Sequence, residues 1–404
     1  MADSTQLGDD RGDIVVIGGC GHVGLPLGIA FADRGCRVTL LDVSQAAVNM
    51  VNRAELPFNE PGAHDMLKRA VCDGRLVATT DATAVSRAAT IVVVIGTPVD
   101  EHLNPDPGAI TRAISANLSH FRDGQLIVLR STIYPGVTRK IEQLFAENGL
   151  DVEVAFCPER IAEGRAMLEL FSLPQIVSAR TQRGRSRAAE LFSALTDSVV
   201  ELRPEEAELA KLFTNTWRYI KFAAANQFYM IANDFGLDFE RIRTALTHDY
   251  PRASDLPAAG FAAGPCLFKD AMQLAAFDKN DFVLGHSAML VNEGLPLYIV
   301  DRLERRYDLS AMTIGILGMA FKSESDDIRS SLSYKLKKIL EFKAKRVLCT
   351  DPHVTVDPNL VPLETVLAEA DLLVVGAPHA AYHELRPSQP VADVWNVFGA
   401  GVVV

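Results

Sequence analysis

Several absences narrow the function of this chain before any motif is considered. The 404 residues contain no CxxC pair, no GxSxG and no Walker A sequence, which disfavours a zinc-finger site, a serine hydrolase and a P-loop NTPase. No apolar run approaches the roughly 18–20 residues that span a bilayer. Basic residues number 40 against 51 acidic ones, so neither nucleic acid nor membrane is expected as a partner.

The first residues, "MADSTQLGDDRGD", lack the basic and apolar parts of a signal peptide. They predict a cytoplasmic protein, in which the six cysteines remain reduced thiols. A hydrophobic content of 48% and this length are typical of a globular protein with two or three domains.

A dinucleotide-binding pattern occupies the start of the chain, in "DIVVIGGCGHVGLPLGIAFADRGCRVTLLDVS". An apolar strand, Ile14–Ile17, leads into Gly19-x-Gly21-x-x-Gly24, then a helical pattern and a second strand that ends at Asp42. The glycines allow a tight turn and close approach of a pyrophosphate, and the carboxylate is placed to bind a ribose diol. The context predicts NAD rather than NADP, although such glycines also occur in plain turns.

Two further apolar strands end in hydroxyl residues. "AATIVVVIGTPVD" ends near Thr97 and "GQLIVLRSTIYPG" ends near Thr132. The carboxyl ends of parallel strands share one edge, so both hydroxyls are expected at the ligand crevice. The alternative is that they only terminate strands.

The last third repeats the strand–glycine–strand plan without the glycine fingerprint. In "MTIGILGMAFKSESDDIRSS" the turn is followed by Lys322 and Arg329, which suit the phosphates of a second nucleotide. A surface ion-pair network with Asp326 and Asp327 is the alternative.

The middle of the chain predicts one long helix from Pro204 to Gly236. Lys211 and Asn215 are four residues apart and so share one face of it. Their apolar neighbours make both side chains costly to bury unless each meets a partner or a ligand.

A single cysteine stands among small residues in "GFAAGPCLFKD". With no CxxC spacing and a reducing compartment, Cys266 is either a packed thiol or a nucleophile. His379 and His383 are four apart, but no third ligand stands nearby in the sequence and there is no HExxH. We therefore expect both histidines at the surface and no metal site.

Several segments together resemble the UDP-glucose/GDP-mannose dehydrogenase family, NAD-dependent enzymes that oxidise a nucleotide sugar at C6. In family order they are "GCGHVGLP", "CPERIAEG", "ELAKLFTNT", "GPCLFKD" and "LGMAFKSESDDIRSS" with "TDP". The resemblance implies an α/β fold of two Rossmann-like, doubly wound parallel-sheet domains joined by a long central helix and a helical middle domain. The expected domains are an NAD-binding domain over 1–203, a central helical domain over 204–305 and a C-terminal nucleotide-sugar-binding domain over 306–404.

The resemblance also implies that Cys266 is the nucleophile of a four-electron oxidation that releases two NADH through a thiohemiacetal and a thioester. The residues expected in catalysis are Cys266, Lys211, Asn215, Asp270, Glu159 and Thr132. Those expected at the cofactor are Gly19, Gly21, His22, Val23, Gly24, Asp42, Thr97, Thr132, Glu163, Lys269 and Arg329. Those expected at the substrate are Glu159, Lys211, Asn215, Arg252, Gly260, Phe261 and Lys322.

In this scheme Lys211 and Asn215 donate hydrogen bonds to the oxygen that becomes anionic. Asp270 and Thr132 hold or deprotonate water. In "PERIAEG" the resemblance implies that Glu159 assists thioester formation or hydrolysis and that Glu163 lies near the nicotinamide. The alternative is an exposed turn with two solvated acids.

The sugar and the partner are less determined. A homodimer is implied, with Arg252 reaching the neighbouring site or lying in a surface loop. "DYPR" favours a UDP-N-acetylhexosamine and "CLFKD" favours UDP-glucose, while Gly264-Pro265 replaces the two glycines of many relatives. A two-electron NAD dehydrogenase of the hydroxyacid type, which needs no cysteine, and a non-catalytic nucleotide-sugar-binding protein remain as other functions.

Overall fold

The computed structural model describes residues 13–97, 106, 108–402 and 404. The acidic N-terminal stretch that was used to predict location lies, up to residue 12, outside the described residues. The chain divides into two compact units, Met1–Leu212 and Phe213–Val404. This division into two units does not test the boundaries of the three predicted domains, which stay a prediction.

The first unit is built on an eight-stranded sheet with the order β3-β2-β1-β4-β5-β6-β7-β8. Its strands are β1 (Ile14–Ile17), β2 (Val38–Leu41), β3 (Leu76–Thr79), β4 (Thr90–Val93), β5 (Leu126–Leu129), β6 (Glu153–Phe156), β7 (Gln175–Ala179) and β8 (Val199–Leu202). Ile14 on β1 pairs in register with Val38 on β2 and with Thr90 on β4, all parallel.

Helices cover both faces of this sheet. They are α1 (Gly24–Asp33), α2 (Gln45–Asn52), α3 (Ala63–Cys72), α4 (Ala109–Ala116), α5 (Val137–Glu147), α6 (Ala166–Ser172) and α7 (Gln182–Ser193). Side chains alternate along β1, so Ile14 and Val16 pack into the core that contains α1, while Val15 and Ile17 pack into the core that contains α5. Burial on both faces explains why the central strands β1 and β5 are apolar throughout rather than alternating.

One pair of strands reverses direction. β6 and β7 are antiparallel, whereas every other neighbouring pair in this sheet is parallel. The connection between β6 and β7, which includes α6, therefore starts and ends at the carboxyl edge of the central strands. The "PERIAEG" segment lies in this connection, at the edge where open parallel sheets bind ligands.

The predicted long helix is present as α8 (Pro204–Asp234). Pro204 occupies its first position, where the missing N–H costs nothing, and Glu205 and Glu206 place negative charge in the first turn. Beyond its end Gly236 has φ +68°, a left-handed conformation that favours glycine.

The second unit contains helices and a smaller sheet. Its helices after α8 are α9 (Phe239–Thr247), α10 (Leu267–Phe277), α11 (Val283–Glu304), α12 (Leu332–Lys343) and α13 (Leu363–Glu369). Its strands are β9 (Thr313–Leu317), β10 (Arg346–Thr350), β11 (Leu372–Val375) and β12 (Val391–Ala392), all parallel in the order β10-β9-β11-β12. The predicted α/β class with two parallel-sheet domains is confirmed. Within the described ranges, no helix has both the length and the apolar character needed to cross a membrane.

Candidate active site

The glycine turn between β1 and α1 has the shape that a pyrophosphate requires. A Cβ added at Gly19 would lie 2.7 Å from the Leu40 Cβ, and one at Gly24 would lie 2.4 Å from the Gly18 carbonyl oxygen. At Gly21 the nearest atom would be 3.9 Å away. Two glycines are therefore fixed by packing inside the protein, while the middle one leaves space for a ligand against the backbone. This arrangement fits the diphosphate of NAD at the start of α1.

Asp42 lies at the carboxyl end of β2, beside this turn. Its Oδ2 accepts a hydrogen bond from the Cys20 N–H (2.9 Å), and its Oδ1 accepts one from the Ser44 N–H (3.0 Å). The carboxylate is thereby fixed at the position from which the sequence predicts contact with a ribose diol. Burial, followed by the charge of Asp42, raises the pKa of the Cys20 thiol to about 12, so Cys20 is a neutral packed residue.

His22 and Val23 complete the turn. The His22 ring stacks on Phe58 with the ring centroids 4.0 Å apart, and Val23 is the last residue before α1.

The tips of β4 and β5 are tied together. The Thr97 hydroxyl donates to the Thr132 carbonyl oxygen (2.7 Å), and the Ser131 hydroxyl accepts from the Ile95 N–H (2.6 Å). Thr97 and Thr132 thus lie side by side at the carboxyl edge, as the parallel-strand geometry predicts. The same hydrogen bonds also terminate the two strands, so a place at the ligand crevice and a role in ending the strands are compatible.

Glu159 is a buried partner of Arg130, which the sequence analysis missed. The Arg130 Nη2 lies 2.5 Å from the Glu159 Oε2, with side-chain exposures of 2% and 10%. Arg130 also donates to the Cys157 carbonyl oxygen (3.0 Å) and to the Gln175 Oε1 (2.9 Å). The Glu159 Oε1 accepts the backbone N–H of Arg160 (2.7 Å). Glu159 is thus a fixed, charge-paired carboxylate rather than an exposed acid.

The loop that carries Glu163 is held by a second carboxylate that the sequence did not reveal. Glu60 is 3% exposed, and its two oxygens accept the N–H groups of Gly164 (2.9 Å) and Ala166 (2.8 Å). This contact joins residues about 100 positions apart, so no local pattern indicates it.

A third buried carboxylate joins the start of α8 to the start of α5. Glu208 is 1% exposed and accepts from the N–H groups of Gly136 (2.7 Å) and Thr138 (2.9 Å). It satisfies free donors at the N-terminus of α5 and interacts favourably with the helix dipole. Lys211 follows one turn later on α8 and is 8% exposed.

In the second unit, Cys266 is an exposed thiol immediately before α10. The Asp270 N–H donates to the Cys266 carbonyl oxygen (2.9 Å), so the two residues are one helical turn apart. The Asp270 side chain is 0% exposed; Asn215 Nδ2 donates to its Oδ2 (2.6 Å), and Lys269 Nζ lies 3.1 Å from its Oδ1. The structure therefore brings together four of the predicted residues, Asn215, Cys266, Lys269 and Asp270.

The loop before Cys266 is fixed by close packing. Gly264 has φ +98°, and a Cβ there would lie 2.5 Å from the Phe321 ring. Gly260 has φ +150°, and a Cβ there would lie 2.2 Å from the Trp395 ring. Asn226, 0% exposed, hydrogen-bonds both the N–H (2.9 Å) and the carbonyl (3.0 Å) of Gly260. The loop is thus shaped by buried amide contacts that the alanine-rich sequence does not show.

Phe261, predicted at the substrate, is 4% exposed and packs edge-on against Trp395 with the ring centroids 6.3 Å apart. Its ring belongs to the hydrophobic core of the second unit. Any contact of this residue with a substrate therefore falls to its backbone.

The predicted basic residues differ in their surroundings. Arg329 forms an ion pair with Asp327, with Nη2 and Oδ2 2.6 Å apart, as the ion-pair alternative proposes for these two. The Lys322 Nζ lies 5.4 Å from the centre of the Phe321 ring. Arg252 is exposed and its guanidinium lies over the Tyr250 ring.

The expectation that His379 lies at the surface is wrong. Its side chain is 0% exposed, and its Nε2 lies 3.1 Å from the Asp351 Oδ2. Burial alone would raise the pKa of Asp351, but the hydrogen bond and charge of His379, together with backbone N–H donors, lower it to about 2. The next two residues, Ala380 and Ala381, are exposed, whereas the His379 ring turns inward toward Asp351 at the end of β10. His383 is exposed, as expected.

Comparison with known proteins gives the family of this chain. Sequence models of the UDP-glucose/GDP-mannose dehydrogenase family match three segments: the NAD binding domain over residues 13–196, the central domain over 205–293 and the UDP binding domain over 315–400. The chain belongs to this family. It is accordingly an NAD-dependent nucleotide-sugar dehydrogenase, and the residues around the glycine turn fit its cofactor.

Individual relatives cover nearly the whole chain. The UDP-N-acetyl-D-mannosamine dehydrogenase of Yersinia pestis is 29% identical over 95% of this chain and 97% of the relative. The enzyme of the same name from Pyrococcus horikoshii is 30% identical over 92% and 91%.

Two solved structures resemble the fold closely. The P. horikoshii UDP-D-ManNAc dehydrogenase has a TM-score of 0.86 at 28% identity, over 93% of this chain and 91% of that one. A UDP-glucose dehydrogenase from Pyrobaculum islandicum has a TM-score of 0.89 at 26% identity, over 96% and 95%.

Proposed function

We propose that this chain oxidises the C6 alcohol of a UDP-sugar to a carboxylate in two steps, with Cys266 as the covalent nucleophile. The observation that carries the proposal is the placement of Cys266: an exposed thiol at the N-terminus of α10, one turn from the buried Asp270. A helix N-terminus favours an anion, so it stabilises the thiolate form that attacks carbon.

In the first oxidation the alcohol becomes an aldehyde. Lys211 and Asn215, on one face of α8, donate hydrogen bonds to the sugar oxygen as it gains negative charge. A water held by Asp270 accepts the hydroxyl proton. Bound NAD would supply the hydride acceptor for each of the two oxidations, which corresponds to two NADH per sugar.

In the second oxidation the Cys266 sulfur bonds to the aldehyde carbon and gives a thiohemiacetal. Transfer of the hydrogen on that carbon as hydride to a second NAD, with the hydroxyl proton passing to water, leaves a thioester on Cys266. Water then attacks the thioester carbon, the C–S bond breaks and the carboxylate and thiol are released. Asp270 is placed one turn from the sulfur to deprotonate this water.

The paired carboxylate of Glu159 supports a role in orienting groups at the thioester. Its charge is balanced by Arg130, and its Oε1 is used by backbone N–H groups, so it is held rigidly. Glu163, on the loop held by Glu60, is assigned to the nicotinamide side. Lys322 is assigned to the substrate phosphates and Arg329 to the cofactor phosphates.

We favour a UDP-N-acetylhexosamine as the substrate, with UDP-N-acetyl-D-mannosamine first among the candidates. The curated relatives described above carry that activity in their names, and "DYPR" points in the same direction. The similarity to the P. islandicum UDP-glucose dehydrogenase and the "CLFKD" segment support UDP-glucose as the second candidate.

We also propose a homodimer formed through the apolar face of α8. Large side chains recur at helical spacing along it, and each is between 48% and 78% exposed: Phe213, Trp217, Phe228, Ile231 and Phe235. An apolar stripe of this length is typical of an interaction surface. Arg252, exposed in the loop after α9, is the candidate for reaching the neighbouring site.

The structure describes all six cysteines and none of them forms a disulfide, which fits the cytoplasmic location that we infer.

The test is a substrate panel with matched cysteine variants. Purified protein is assayed with NAD and UDP-glucose, UDP-N-acetylglucosamine, UDP-N-acetylmannosamine or GDP-mannose. We expect the highest kcat/KM with UDP-N-acetylmannosamine, loss of carboxylate product in Cys266→Ser, and full activity in Cys72→Ser, which removes the other exposed thiol. Carboxylate formation by Cys266→Ser at the unmodified rate would rule out the covalent mechanism.

A further inference from the structure

We propose that Glu324, His353 and His379 form a binding site for a divalent transition-metal ion of the zinc class. One donor atom from each residue lies within 4.8 Å of the others. The three residues follow β9, β10 and β11, which are neighbours in the sheet of the second unit. They therefore converge at its carboxyl edge although they are distant in sequence.

The spacing of the donors suits a small tetrahedral ion. The His353 Nε2 lies 3.5 Å from the Glu324 Oε2, and the His379 Nδ1 lies 3.8 Å from the Glu324 Oε1. Metal–ligand bonds of about 2.0–2.2 Å place tetrahedral donors about 3.3–3.6 Å apart, so a short inward movement closes the site. Two imidazoles with one carboxylate prefer Zn²⁺ and its neighbours over Mg²⁺ or Ca²⁺.

Asp351 orients one of the ligands. Its side chain is 0% exposed, and its Oδ2 lies 3.1 Å from the His379 Nε2. The same carboxylate also accepts the N–H groups of Met319 (2.6 Å) and Ala320 (2.9 Å), which fix its position. A carboxylate that receives the N–H of one ring nitrogen leaves the other nitrogen free of hydrogen and able to bind a metal. Asp351 and His379 have this arrangement, with Nδ1 facing the cluster.

The backbone of Glu324 is also unusual. Its φ is +55°, a left-handed conformation that is uncommon for residues other than glycine. Its N–H donates to the His379 Nδ1 (3.0 Å), and its Oε1 accepts the Ala380 N–H (2.7 Å). A cation bound to the His379 Nδ1 replaces the Glu324 N–H as the partner of that nitrogen's lone pair. The Glu324 side chain is 55% exposed, so its carboxylate has room to move toward the cation.

The test is cobalt binding to the full-length, untagged protein. Both exposed thiols are first removed by Cys72→Ser and Cys266→Ser, so that they do not bind metal themselves. We expect one Co²⁺ per chain, visible absorption typical of tetrahedral cobalt, displacement by Zn²⁺ and a higher melting temperature with Zn²⁺ present. His353→Gln and Glu324→Gln, both at partly exposed positions, should each weaken Co²⁺ binding by about tenfold or more.

The control is His383→Gln, which removes the exposed histidine four residues after His379 and should leave Co²⁺ binding unchanged. Equal Co²⁺ affinity in His353→Gln and the parent protein would overturn the proposal. So would the absence of cobalt absorption in a parent protein whose far-UV circular dichroism is native. Both results are independent of dehydrogenase activity.

Discussion

Arg130 and Glu159 form a buried ion pair, and removal of one partner is expected to destabilise the first unit strongly. The side chains are 2% and 10% exposed, and their charged atoms are 2.5 Å apart. Arg130→Met keeps much of the length and apolar contact of the side chain but removes its charge. Glu159 is then left in the interior without a counter-charge.

The expected loss is about 3–5 kcal/mol of unfolding free energy, the usual cost of breaking a buried pair by removing one member. In a unit of about 200 residues this corresponds to a fall in melting temperature of roughly 10 °C. The matched control is Arg203→Met, which breaks the exposed Arg203–Glu206 pair, whose side chains are 79% and 44% exposed. That loss should stay within about 1 kcal/mol.

Urea unfolding followed by far-UV circular dichroism measures both variants. The double variant Arg130→Met/Glu159→Gln should recover about 1 kcal/mol or more, because it removes the uncompensated charge. A loss in Arg130→Met no larger than that in Arg203→Met would refute the reasoning. A double variant less stable than Arg130→Met would refute the role assigned to the lone carboxylate.

Three further predictions concern the candidate site. Gly21→Ala should fold normally but weaken NAD binding in calorimetry, because its Cβ enters the open space left for the ligand. Gly24→Ala should instead lower the melting temperature, because its Cβ meets a carbonyl oxygen at 2.4 Å. Equal melting temperatures of the two variants would contradict this. Iodoacetamide at neutral pH, followed by mass spectrometry, should modify the exposed Cys72 and Cys266 before the buried thiols react. Burial covers Cys20, Cys157 and Cys349 and raises the pKa of each to about 12, so rapid labelling of these three would contradict the prediction. Asp270→Asn should lower kcat by about 10²–10⁴, and a kcat within about twofold of the parent value would exclude its role as a base.

The elements with local signals were predictable from the sequence. The strand, glycine turn and helix at the start of the chain, and the long helix beginning at Pro204, follow from apolar periodicity and from glycine and proline positions. The helical turn that joins Cys266 to Asp270, at the start of α10, was not predicted. The reversed direction of β7 had no such signal, because strand direction depends on how a connection folds back.

The buried charges were not predictable, because each joins distant segments. Glu60 binds a loop about 100 positions away, and Arg130, just after β5, pairs with Glu159 in the connection after β6. His379 lies among small residues in the sequence, yet its ring contacts the carboxylate of Asp351, which directly follows β10. Such contacts depend on the sheet order, which periodicity does not determine.

The most direct test of the proposed four-electron mechanism is the ratio of NADH formed to UDP-sugar consumed. The sugar that turns over in the panel is supplied in limiting amount with excess NAD, and NADH is measured by absorbance and the sugar by chromatography. Two NADH per sugar, with the carboxylate as the product, is the predicted result. One NADH per sugar, with an aldehyde or ketone as the product, would contradict the thioester mechanism and leave Cys266 without a catalytic role.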